Sequence, residues 1–95
     1  MNPILLSLHR AYADGIIHCD EFAEGIKGIK GLHPQYEPII LILEWYREEC
    51  RSVANSFDKF EWDIRQLNTM AGYYTRLKEA VDTVVYPNVV EGTNL

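Results

Sequence analysis

Two apolar runs in this chain share one period, and that shared period limits what it can become. Ile39, Leu43, Tyr46, Cys50, Val53 and Phe57 follow one another in alternating steps of four and three. Phe60, Ile64, Leu67, Ala71, Tyr74, Leu77, Val81 and Val84 keep nearly the same rhythm. Such spacing places every member of a run on one face of a helix. Between the runs, Asn55-Ser56-Phe57-Asp58 reads as a tight connection with Asp58 capping the second helix. Helices with matching seams and a short link pack antiparallel. The sequence therefore predicts an all-α fold built on a long helical hairpin over residues 37–86. Its first helix spans Glu37 to Asn55, its second ends near Tyr86, and Pro87 opens an extended tail over residues 87–95.

A short helix pair over residues 1–31 precedes the hairpin. Asn2-Pro3 is a capping residue followed by the one residue that loses nothing at a first helical position. Leu5, Leu8 and Tyr12 continue at helical spacing, and Gly15 suits the left-handed close of a helix from about Pro3 to Asp14. A second helix begins near His18 or Cys19, with Asp20 and Glu21 offsetting the exposed N–H groups of its first turn. Phe22, Ile26 and Ile29 are its expected buried stripe, and Gly31 its expected end. Gly25 and Gly28 weaken the helix but offer a smooth face for close approach. His33-Pro34 and Glu37-Pro38 then interrupt helical geometry before the hairpin begins.

At 95 residues the chain is expected to be a single domain with a modest core, the kind that often gains stability by self-association. The hairpin reinforces that expectation. Ile39-Ile40-Leu41-Ile42-Leu43 is apolar all round and is followed by Trp45 and Tyr46, so one stripe cannot bury it. Six tyrosines and two tryptophans exceed what a thin core needs, and such rings favour interfaces. Ile40, Leu41, Trp45, Tyr46, Trp62 and Tyr73 are the candidate interface residues.

The charge balance narrows the partners. Fourteen acidic against nine basic residues give a net charge of -5, which disfavours bulk binding to nucleic acid. Two cysteines without a dense disulfide framework, and no signal-peptide pattern, point to a cytoplasmic protein. The longest apolar run is far short of the ~20 residues of a membrane span.

No catalytic, cofactor or metal motif emerges. Arg10 to Phe22 has the outline of a calcium-binding loop, yet Arg10 and Tyr12 stand where oxygen ligands are required, and a helix–turn–helix joint explains the same residues. His9, His18, Cys19 and His33 match no zinc spacing. Cys50 lies in a seam without an activating histidine. Glu44, Glu48, Glu49 and Asp63 lack the Glu-x-x-His of a helical di-metal site, and the glutamates are expected to pair with Arg47 and Arg51. A small basic set remains: Arg10 and Tyr12 on the first helix, Lys27 and Lys30 on the second, able to hold a phosphate and stack a ring.

The Tyr12-to-Lys27 spacing, with Ile26-Lys27 followed by Gly28, and the long hairpin resemble phage proteins that sequester cyclic oligonucleotide signals of bacterial immune systems. Trp62, Tyr74, Leu77 and Ala80-Val81 add a few loosely matching positions. The likeness covers about the N-terminal third and the general architecture; the glycine turn at Gly15 and the apolar run at Ile39 depart from it. It implies a compact helical oligomer holding an anionic ligand between subunits. The residues themselves favour a non-enzymatic, self-associating interaction protein acting as an inhibitor, adaptor or assembly factor, with the anionic-ligand binder as the alternative. A motif-poor chain of this size is compatible with a phage or accessory gene.

Overall fold

The computed structural model describes residues 2–57 and 64–87, and all of its regular structure is helical. In order these are α1 (Pro3–Ala13), α2 (Cys19–Ile26), a 3-10 turn (Pro34–Tyr36), α3 (Glu37–Phe57) and α4 (Ile64–Val85). The expected cap at Asp58, the seam residue Phe60, the interface candidate Trp62 and the tail beyond Pro87 lie outside the described residues. No helix among the described residues is long and apolar enough to cross a membrane.

Local chemistry sets the ends of the first elements. The Asn2 side chain accepts from the backbone N–H of Ile4 at 2.8 Å and of Leu5 at 3.4 Å, satisfying donors that the first turn of α1 leaves open. Gly15 closes α1 at a φ of 75°, and Ile16 N–H donates back to the Ala11 carbonyl at 2.9 Å. The Glu21 carboxylate accepts from His18 N–H at 2.9 Å and so caps α2.

α2 ends at Ile26, five residues before Gly31, where the sequence placed its end. Gly25 and Gly28 make continuation costly, and the Ile29 N–H closes a turn onto the Ile26 carbonyl at 3.1 Å instead. Gly31 does take the left-handed conformation, at a φ of 73°, but within the connector. Lys27 and Lys30 consequently follow α2 rather than riding on it. The smooth face at Gly25 is used, though by a side chain: a methyl group there would meet Leu8 of α1 at 2.7 Å. At Gly28 an added methyl group would meet nothing.

The core forms where α2 lies across the hairpin. Phe22, Ala23 and Ile26 of α2 are fully buried with Ile39 and Leu43 of α3 and Leu77 and Val81 of α4; Leu5 and Tyr36 seal the edge. Each large apolar side chain buried there contributes roughly 1.5–3 kcal/mol. Ile40 and Ile42 pack partly against this core while Leu41 stays 50% exposed, so the all-round apolar run is covered on all but one side.

α3 and α4 pack closely. Tyr46 stands 5.6 Å from Tyr74 and Trp45 6.2 Å from Tyr73 between ring centroids, which sets the two helices level at those pairs. The step from Phe57 to Ile64 spans at most about 25 Å. A 21-residue helix is about 31 Å long. The two helices must therefore run in opposite directions.

Coverage of this hairpin is uneven. Among the described residues, none of α3 after Leu43 and none of α4 before Leu77 is fully buried. Ile64 and Ala71, both expected in the seam, are exposed, Ile64 by 71%. A strict seven-residue repeat drifts around a straight helix, carrying these two positions towards the α2 side, where short α2 does not reach. Met70 and Tyr73 take the half-buried places instead.

Gly15→Ala, which forces a side chain into the left-handed region, is expected to lower stability by about 1 kcal/mol. Gly28→Ala, with open space around it, should change stability by far less; parallel urea titrations distinguish the two.

Candidate functional site

Tyr12 stands on the last turns of α1 and faces α4 across the joint between α1 and α2. Its hydroxyl donates to Asp82 Oδ1 at 2.6 Å, and Lys78 Nζ holds the other oxygen of the same carboxylate at 2.8 Å. The ring lies 5.8 Å from Phe22 and 6.2 Å from Tyr86. Burial and the neighbouring Asp82 charge push the Tyr12 hydroxyl well above the usual tyrosine range. Around this contact opens a cavity of about 330 Å³, walled by Tyr12, Ile17, His18, Cys19, Tyr74 and Tyr86, with Lys78 and Asp82 at its edge.

Deeper along the same wall, Tyr74 lines the cavity beside the buried Cys19 thiol, and Tyr46 lies near Cys50, one turn on along α3. With the Tyr46–Tyr74 ring contact, these four side chains tie α2, α4 and α3 together. Burial pushes both phenols up to about 12, helped by their cysteine neighbours. Burial also pushes the Cys19 thiol up, outweighing the Tyr74 hydroxyl that favours its anion. A thiol held protonated is a poor nucleophile.

The basic set is dispersed. Lys27 reaches α3, where its Nζ pairs with Glu44 Oε1 at 2.6 Å, and Arg47 pairs with Glu24 of α2. These links between elements replace the expected pairing of Glu44 and Arg47 along α3; Arg51 and Glu48 pair as expected. Lys30 borders a second cavity of about 280 Å³, with Leu5, Ile29, His33 and Tyr36. Arg10 is exposed on the last turn of α1. Tyr12 and Lys30 therefore line different cavities, and Lys27 lines neither.

His9 and His33 each make a hydrogen bond within the fold. His9 Nε2 is hydrogen-bonded to the Tyr36 hydroxyl at 2.9 Å, and burial lowers its proton affinity. His33 Nδ1 accepts from Gln35 N–H at 3.2 Å at the head of the 3-10 turn. No group of three His, Cys, Asp or Glu side chains able to hold a metal occurs among the described residues.

The interface candidates divide by depth. Ile40 and Tyr46 are half-buried against the core, whereas Leu41 and Trp45 face outward, Trp45 by 45%. Tyr73 is half-buried beside Trp45, with the Arg76 guanidinium 5.8 Å over its ring. Trp45, Tyr73 and Leu41 thus share the side of the hairpin turned away from Ile39 and Leu43.

Sequence reasoning missed Asp82, the partner of both Tyr12 and Lys78. Its signal was an acidic residue directly after buried Val81, four positions beyond a lysine. Comparison with known proteins found no matching family model, no matching curated protein and no matching solved structure.

Tyr12→Phe removes one of two hydrogen bonds to Asp82 and should cost about 1 kcal/mol in urea titration. Tyr46 and Tyr74 are held protonated up to about 12 in the fold. Unfolded tyrosine ionises near ~10. Their contribution is therefore complete below that value and is lost as pH rises towards 12. Melting temperature should fall across this window, and by less in Tyr74→Phe.

Proposed function

We propose that this chain is a non-enzymatic interaction protein, self-associating and acting as an inhibitor, adaptor or assembly factor on a protein partner. The half-covered hairpin carries the reading. One end of α3 and α4 is sealed by α2, while along the other end half-buried aromatic and aliphatic side chains have no third described element over them. A two-helix layer buries one face at most, so its remaining apolar surface is stabilised by another chain. On the side of the hairpin turned away from α2, exposed Leu41 and Trp45 with half-buried Tyr73 supply the large anchors that dominate such contacts. The Tyr12 hydroxyl is spent on Asp82 and the Tyr36 hydroxyl on His9, which further supports binding over catalysis.

A second reading, binding of an anionic small molecule such as a cyclic oligonucleotide signal, is supported by one cavity. Lys30 borders it together with His33, whose ring accepts a backbone N–H through Nδ1 and so presents its other nitrogen as a donor. Lys27 is spent on Glu44 and Tyr12 on Asp82, which makes Lys30 the better anion ligand of the set.

Wild type and Trp45→Ala, each immobilised and challenged with the same extract, test the first reading. A partner retained by wild type and released at least about tenfold more readily by the variant is expected, as for loss of an aromatic anchor. Identical retention by both removes it. For the second reading, thermal shift against cyclic nucleotides should show stabilisation that Lys30→Ala abolishes.

A further inference from the structure

We infer that the outward face of the hairpin is a self-interface in which two copies pair about a two-fold axis parallel to α3 and α4, each seating Trp45 in a hollow over Gly72 of the other. This rests on the protein-binding reading above and names a second copy as the partner that covers this face.

The hollow is already formed in the single chain. Gly72 lies mid-helix on the outward side of α4, and an added methyl group there would meet nothing within 4 Å. Thr69, Tyr73 and Arg76, at helical spacing around it, bound a space of about 230 Å³. Beside it on α3 stands Trp45, 45% exposed, with Leu41 one turn earlier at 50%. A knob and a hole on one surface are what a two-fold pairing requires, because each copy must offer both.

The axis follows from the level of the helices. Trp45 and Tyr73 stand side by side within the hairpin. Rotation about a line parallel to the helices exchanges α3 for α4 while keeping every residue at its height. Trp45 of one copy then arrives over Gly72 and Tyr73 of the other, and Leu41 falls one turn along, towards Ala80. A two-fold axis perpendicular to the helices would instead set α3 on α3 and bring the two Trp45 rings to no hollow.

Charge favours the same arrangement. α3 carries Glu37, Glu44, Glu48 and Glu49 against Arg47 and Arg51, whereas α4 carries Arg65, Arg76 and Lys78 against Glu79 and Asp82. Glu44 and Arg47 are held by residues following or on α2, and Lys78 and Asp82 face Tyr12. The outward face therefore offers Glu48, beside Arg51, on α3 and Arg76 on α4. Packing α3 on α4 brings Glu48 towards Arg76, whereas packing α3 on α3 does not. Glu48 shares the outward face of α3 with Trp45, one turn on. Side chains lean towards the N-terminus of their own helix, so Glu48 and Arg76 converge across the oppositely running pair. The available surface is also sufficient: two helices about 30 Å long present roughly 600 Å² per copy, or about 1,200 Å² in total, the lower bound for a stable pair.

The test is the solution mass of the whole chain, measured by light scattering over a concentration series, with circular dichroism on each variant. Wild type should have twice the mass of one chain. Trp45→Ala and Gly72→Trp should each have the mass of one chain with unchanged helicity, since a Cβ added at Gly72 meets no atom of its own chain within 4 Å. Glu48→Arg and Arg76→Glu should each weaken pairing about tenfold, and the double exchange should recover most of that loss, an outcome that a merely structural role does not produce. A single-chain mass for wild type at every concentration overturns the inference, as does an assembly that survives Gly72→Trp. Neither result bears on whether Trp45→Ala releases a different protein, so failure here is separable from failure of the protein-binding reading.

Discussion

Helix α2 is eight residues long, and the rest of the described structure is organised by what it covers. Its Phe22, Ala23 and Ile26 fill the space over α3 and α4 at one end of the hairpin and bring the buried residues of both helices into one cluster. α1 reaches the hairpin largely by lying against α2, with Leu8 over Gly25. The length of α2 is in turn fixed by glycine. Gly25 and Gly28 end the helix after Ile26, so the cover stops there, and the hairpin continues beyond it as two helices side by side.

That boundary explains why the amino-acid pattern describes one half of the hairpin better than the other. Ile39, Leu43, Leu77 and Val81 sit on the predicted seams and are fully buried, because a third helix lies over them. Ile64 and Ala71 sit on the same predicted seam and are exposed. Nothing in their own chemistry marks the difference; it depends on how far α2 extends. Helix caps, by contrast, were legible residue by residue at Asn2 and Gly15, since capping depends only on immediate neighbours. The early end of α2 was encoded too, in two glycines three residues apart, but Gly31 offered a stronger stop signal than the one the chain uses.

Functional residues were legible as types and illegible as groups. Tyr12, Lys27 and Lys30 are close in sequence and point to three different neighbourhoods, because the chain turns after Ile26. Residues far apart in sequence, Tyr12 with Lys78 and Asp82, or Cys19 with Tyr74, form the actual clusters. The outward position of Trp45 was half legible: an all-round apolar run implied some uncovered side, but the candidates drawn from it mixed exposed Leu41 and Trp45 with Ile40 and Tyr46, which the core half-buries.

The hydrogen bond from Tyr12 to Asp82 joins positions 70 residues apart. During synthesis on a ribosome, α1 and α2 emerge long before the residues of α4 that they pack on. The apolar stripe of α2, with Phe22 and Ile26, must then wait in water while roughly fifty further residues are added, a delay of seconds at ordinary elongation rates. Over that interval the short helix pair has only itself to rest on. The charged residues beside that stripe, Asp20, Glu21, Glu24 and Lys27, thus carry a second consequence: until α3 emerges to pair with Glu24 and Lys27, they are solvated charges that disfavour sticking of the nascent chain.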